Sequence, residues 1–286
     1  MAETAPRSLA EIREEIDRID AEMHRLLMER GSVIDDLIAI KKTAEGHASA
    51  FRPAREASMM GAMMARHQGL LPADTVESIW RIIISTFTYV QAPYSVHIDT
   101  APGADHARDT GRFHFGFTVP LVMEESAAEV VAAILASPGD LGLVCVSAAG
   151  RGAWWADLVE ASGPKIIAAL PFVDRPDHPA ATPYFVVAAP VGDAAANDIL
   201  LVSIDYDGSG DDRDSAEARF AAIGWCLVDF HRDGAGTRAL VSLVGVPDED
   251  ALTLKAREAV PHLQALALVG GHARAYASAP TGEDAA

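Results

Sequence analysis

Apolar residues recur at intervals of three and four through Leu9, Ile12, Ile16, Ile19, Met23, Leu26, Val33, Leu37 and Ile40, with polar side chains between them. This near-heptad spacing, with no proline inside it, predicts one long helix from Leu9 to about Thr43 that carries a single apolar stripe. Ser8, with Glu11 three residues on, supplies a capping box at its start. Residues 46–50 read as a loop. Pro53 suits the first turn of a second helix, which carries Met59, Met60, Met63 and Met64 as an adaptable core face and fades near Gly69. Pro72 opens a third helix, rich in Ile79, Trp80, Ile82, Ile83 and Phe87, that ends before Pro93.

The pattern changes after Tyr94. Residues 97–110 are polar with Ala, Pro and Asp, and read as a linker. Beyond them FHFGFTVPLV predicts a strand, ESAAEVVAAILAS a helix, LGLVCV a buried strand and PYFVVAAP another. From Asp198 the order is β-α-β-β-α-β, the ferredoxin-like arrangement. The expected fold class is multidomain α and α+β. Residues 1–93 form a three-helix domain, 94–111 a linker, 112–192 an α/β segment and 193–286 a ferredoxin-like domain.

With 286 residues, half of them apolar, the chain can bury a core. No early apolar stretch follows a basic start, and no run approaches the roughly 18 apolar residues of a membrane span, so a cytoplasmic protein with no membrane partner is expected. Cys145 and Cys226 lie far apart in apolar runs and read as core residues, with no disulfide framework or metal site. His97, His106, His114, His178, His231, His262 and His272 show no metal-ligand spacing and read as surface or loop residues, and Glu124 and Glu125 read as the start of a solvated helix. The net charge of −18 divides into −3 over residues 1–91 and −15 over the rest. Nucleic acid is therefore an unsuitable partner, whereas a small anion needs only a few cations focused in one pocket.

Arg30 is such a cation. Continuing the stripe 9, 16, 23 by seven places its guanidinium where the pattern reserves an apolar side chain, although an Arg that snorkels at the stripe's edge fits the same spacing. Lys41, eleven residues on, falls within about 20° of Arg30 and roughly 16 Å along the axis, so the two can bracket one small anion. Arg13 lies about 25 Å the other way and about 100° around, out of reach of that ligand in the same chain. Two short helices cannot cover a stripe near 50 Å long, so a second copy is the expected cover, and an antiparallel dimer brings Arg13 of one chain to Arg30 of the other.

The spacing of LAEIREEIDRID, LLMERGSVI, IAIKK and RPAREASMM, with a final Gln at the end of the third helix, resembles the all-helical (type II) chorismate mutases. The resemblance covers residues 9–91 and implies an intertwined homodimer with shared active sites, chorismate as substrate, prephenate as product and no cofactor or metal. By motif it implies that Arg13, Arg30 and Arg55 hold the substrate's two carboxylates. Lys41 and Gln91 address the ether oxygen, Glu56 accepts the ring hydroxyl, and Arg52 makes a backbone contact where the family often has an acid. Phe87 stands in place of a small hydroxylic residue lining the carboxylate pocket, as ordinary core packing or as a change of affinity or substrate. The same fold also serves isochorismate pyruvate-lyases, and a non-catalytic sensor of aromatic ligands is the alternative from another class.

The region after residue 110 resembles a degenerate prephenate dehydratase, followed over residues 198–279 by an ACT-like ferredoxin module. ATPYF, residues 181–185, stands where dehydratases carry a Thr-Arg-Phe motif, with the Thr displaced as Thr182 and Pro183 and Tyr184 following it, and the segment is about half the expected length, which implies that dehydratase activity is absent. DGSGDDRDSAE and DFHRDGAG replace the ACT ligand-binding turns, leaving phenylalanine binding or a scaffolding role open.

Overall fold

The computed structural model describes residues 7–43, 51–146, 152–174, 177–190, 198–208, 210–234, 236–245, 248–260 and 262–277. The chain divides into two compact units, residues 1–47 and 48–286.

Among its described residues the first unit holds one helix, α1 (Leu9–Thr43), unbroken over 35 residues. Its capping box forms as the sequence indicates: the Glu11 N–H donates to Ser8 Oγ at 3.2 Å and the Ser8 N–H to the Glu11 carboxylate at 2.7 Å. Arg18–Glu15 and Arg25 with Glu22 and Glu29 are exposed pairs on the polar side, each worth little alone. The apolar stripe is exposed along its length, from Leu9 at 63% through Ile16 at 52% and Met23 at 53% to Ile40 at 65%. A stripe this long has no stable fate in water except cover by another apolar surface.

The second unit begins with α2 (Pro53–Arg66) and α3 (Ala73–Gln91). These are followed by β1 (Val96–Asp99), α4 (Ala104–Phe115), β2 (Leu121–Glu124), α5 (Ala127–Ala136) and β3 (Leu141–Cys145). After a short 3₁₀ turn come β4 (Lys165–Leu170), β5 (Val173–Asp174) and β6 (Tyr184–Ala188). The last part is β7 (Ile199–Tyr206), α6 (Arg213–Ala222), β8 (Cys226–Asp233), β9 (Gly236–Val244), α7 (Glu249–Ala259), β10 (Leu263–His272) and β11 (Tyr276–Ala277).

Nine of these strands form one sheet, ordered β2-β1-β3-β6-β4-β10-β7-β9-β8. The first three are parallel and β7 to β10 make the expected ferredoxin-like quartet. The two parts of the sheet join where β4 meets β10 through the pair Gly270 and Ile166. The boundary expected near residue 193 is therefore no break in the sheet. Met60, Met63, Val76 and Ile84 of α2 and α3 share a core with Val96, Ile98, Leu143 and Tyr184 of the sheet. A separate core packs α6 and α7 on their half, around Phe220, Trp225 and Ala256.

Several expectations are corrected. The segment 94–111 is not a linker: it holds β1 and most of α4. It reads as polar because α4 packs through small residues, with Ala107 fully buried and a side chain at Gly111 meeting Leu121 at 2.9 Å. Phe113 and Phe115 end α4 rather than begin a strand, since Gly116 at φ 67° stops the helix there. Cys145 is buried, but Cys226 opens the edge strand β8 and is exposed. His114 is fully buried, and His97 lies between Glu124 at 2.8 Å and Asp140 at 3.4 Å. Glu124 ends β2 instead of starting a helix. No helix among the described residues is long and apolar enough to cross a membrane.

The sheet junction yields a prediction. Gly270 has φ 140°, and a side chain there would lie 2.1 Å from the Ile166 carbonyl oxygen. Gly270→Ala should destabilise the second unit by more than about 1 kcal/mol, through backbone strain and separation of β4 from β10. Denaturant unfolding of the two proteins measures this; equal midpoints would contradict the junction.

Candidate active site

α2 starts sharply because Pro53 fixes its first turn. That turn presents Arg52 half-buried, Arg55 exposed and Glu56 largely covered. The Arg52 guanidinium donates to its neighbour's carbonyl, that of Phe51, at 3.5 Å. Across from it, α3 turns an unusual face to the interior: Glu77, Arg81, Ser85 and Thr88, all buried, recur at helical spacing.

Three of these residues, Arg81, Glu77 and Ser85, have partners on neighbouring elements. Arg81 donates to the Glu56 Oε2 oxygen in an ion pair whose side chains are 5% and 17% exposed. The guanidinium lies 5.1 Å from the ring centre of Phe172 and 5.6 Å from that of Phe115. Glu77 accepts from the Phe172 N–H at 3.1 Å and stands 4.0 Å from His114 Nδ1. Ser85 donates to the Phe115 carbonyl at 3.2 Å, and Tyr94 to the Ser85 carbonyl at 3.4 Å. The pocket between them is walled by Phe51, Pro53, Glu56, Arg81, Thr88 and Phe172. It is a small, largely apolar space with one carboxylate and one guanidinium in its wall, a setting that favours a polar ligand with an apolar body.

Burial holds His114 well below its ordinary value, with the Arg81 charge and His178 adding to the effect. His114 is therefore neutral near pH 7. Burial likewise pushes the Tyr94 hydroxyl up, so it remains a donor.

At the far end of α3, Gln91 donates from Nε2 to the Phe87 carbonyl at 3.1 Å, and Phe87 is half-buried. On α1, Arg13 is exposed and Arg30 half-buried. Lys41 lies in the last turn of α1, with its side chain outside the described residues. The structure thus brings together Glu56 with Arg81 and Gln91 with Phe87. Arg81 is the residue that sequence reasoning passed over. The signal was present in Ile79-Trp80-Arg81-Ile82-Ile83, a lone cation in an apolar run, the same anomaly that marks Arg30.

Residues 12–92 match the chorismate mutase type II family. The N-terminal region is a type II chorismate mutase domain. The match spans α1, α2 and α3 together. No curated protein matches the chain. Among solved structures, the prephenate dehydratase from Staphylococcus aureus subsp. aureus Mu50 is 11% identical, with a TM-score of 0.43, over 63% of this chain and 100% of that one. Prephenate dehydratase from Streptococcus mutans is 13% identical with a TM-score of 0.38, over 65% and 98%. GqqA, described as a novel type of quorum quenching acylase, is 14% identical with a TM-score of 0.43, over 63% and 94%. Likeness this distant says nothing of activity.

Neutral His114 makes stability depend on pH. Its folded value is depressed below the unfolded 6.5, so its contribution is fully present above about pH 6.5 and is lost as pH falls from there toward the depressed value. Unfolding measured from pH 7.5 to 5 should show a loss whose slope His114→Gln lowers by up to about one proton, His272, also held down by burial, supplying the rest. Parallel curves for the two proteins would contradict the assignment.

Proposed function

We propose that this protein is a chorismate mutase that converts chorismate to prephenate. The observation that carries this reading is the unbroken length of α1. At a rise of about 1.5 Å per residue, Arg13 and Lys41 are held ~42 Å apart on one rigid helix. Neither can serve the other's ligand within one chain, whereas two copies joined along the exposed stripe let α1 of each supply Arg13 to the other's site. The match over residues 12–92 supports this reading, and the roles proposed for those cations follow the family resemblance.

The rearrangement is intramolecular and asks for no nucleophile, cofactor or metal. Arg13, Arg30 and Arg55 hold the two carboxylates, so that the enolpyruvyl side chain lies over the ring in a near-attack geometry. Negative charge grows on the ether oxygen as its bond to the ring breaks. Lys41 and Gln91 donate there, favouring the transition state over the ground state. Glu56 accepts the ring hydroxyl, and Arg52 contributes through its backbone. Dehydration of prephenate is not part of the proposal: Tyr184 stands where the dehydratase motif has its basic residue, and it is fully buried, its hydroxyl donating to the Asp99 carbonyl at 3.1 Å.

Phe87 supports a second reading on the same fold, isochorismate pyruvate-lyase, because it brings bulk without a hydrogen-bond donor to the carboxylate pocket. Product analysis separates the two: chorismate should yield prephenate, and isochorismate should yield no pyruvate. Lys41→Ala should lower the mutase rate by about 10²- to 10³-fold, the usual cost of losing one preformed donor. Chorismate bound but returned unchanged by the unmodified protein would instead support a sensing role.

A further inference from the structure

Arg81 is 4% exposed within an apolar stretch of α3, and a guanidinium there is tolerable only if its charge is met. It is met by Glu56, the carboxylate to which the proposed reaction assigns the ring hydroxyl, and on its faces by the rings of Phe115 and Phe172. Neither ring belongs to the mutase helices. Phe115 ends α4 and Phe172 follows β4, and α3 itself holds both segments, through Ser85 at the Phe115 carbonyl and Glu77 at the Phe172 N–H.

We propose that Arg81 is a positioning residue for chorismate turnover, clamped by Phe115 and Phe172 so that it fixes the Glu56 carboxylate to receive the ring hydroxyl. The proposal rests on the mutase reading above. Arg81 occupies one carboxylate oxygen, Oε2, and leaves the second to accept from the substrate. A free glutamate has three side-chain torsions to immobilise on binding; a glutamate pinned to a ring-clamped cation has already lost them, and that cost no longer falls on the reaction. The α/β region thereby contributes to the mutase site without a catalytic group of its own. It supplies the two rings that hold the cation that holds the carboxylate.

The test is a kinetic cycle in the full chain with Arg81→Met, Arg81→Lys, Glu56→Gln and the Glu56→Gln/Arg81→Met double variant, assayed on chorismate. Misplacement of a contact by about 1 Å can cost up to 10²-fold, so Arg81→Met should lower kcat/KM by tenfold or more. Arg81→Lys should recover most of the loss. The double variant should be no slower than Glu56→Gln alone, because Arg81 acts only through that carboxylate. Phe172→Leu, which loosens the guanidinium without uncovering a charge, should cost severalfold in the unmodified background and nothing beside Glu56→Gln; it carries the test if Arg81→Met fails to fold. Losses that multiply in the double variants, or an Arg81→Met or Phe172→Leu protein as fast as the unmodified one, would overturn the proposal. An unmodified chain that leaves chorismate unchanged would overturn the mutase reading and this proposal with it, whereas an active chain with multiplying losses removes this proposal alone.

Discussion

A charge taken out of water must be neutralised where it lies, and the ion pair between Arg81 and Glu56 obeys this rule at the join between the helices and the sheet. Much of the surrounding order follows from it. α3 turns polar residues inward because Arg81 does, and the neighbouring Glu77 and Ser85 bind the backbone of the segments that carry Phe172 and Phe115. The sheet in turn shields the pair from solvent, which strengthens it. The chain's C-terminal end contributes to the same assembly: Tyr276 pairs β11 with β5 and donates to the Ala57 carbonyl, while a side chain at Gly61 would collide with its ring. α2 is thus held on one side by the first residues past the ferredoxin-like quartet and at its start by α3.

The other unit obeys the opposite constraint. α1 has abundant local support, with a formed capping box and ion pairs along its polar side, yet its apolar stripe remains in contact with water. Local propensity makes the helix, but only tertiary or quaternary burial makes it stable. A second copy of the same stripe is the simplest surface that satisfies this demand, since an isologous pairing matches each exposed residue to its equivalent. The dimer proposed above would bury the stripe and complete the site together.

The regular patterns were legible in the sequence. α1, α2 and α3 and the six elements of the ferredoxin-like half follow from periodicity and punctuation alone, because their apolar residues are large and evenly spaced. α4 escaped notice since it packs through Ala107 and Gly111, whose small side chains carry little hydrophobic signal. β1 was hidden by brevity, and by Asp99, whose buried carboxylate is satisfied by the Ala101 and Cys145 N–H groups rather than by water. Of the candidate site, the residue types were readable but their partners were not. Nothing in the spacing of Glu56 and Arg81 announces an ion pair, because the pair depends on how two helices meet and on rings delivered by segments far along the chain.

The claim at the centre of this account is that each site is assembled from two chains, and subunit mixing tests it most directly. Arg13→Ala and Lys41→Ala proteins, each expected to be strongly slowed when assayed alone, are mixed, subunit exchange is verified, and prephenate formation is measured. Shared sites predict recovery, because one site of every mixed dimer receives an intact Arg13 from one chain and an intact Lys41 from the other. A mixture that stays as slow as its parents after proven exchange would contradict it.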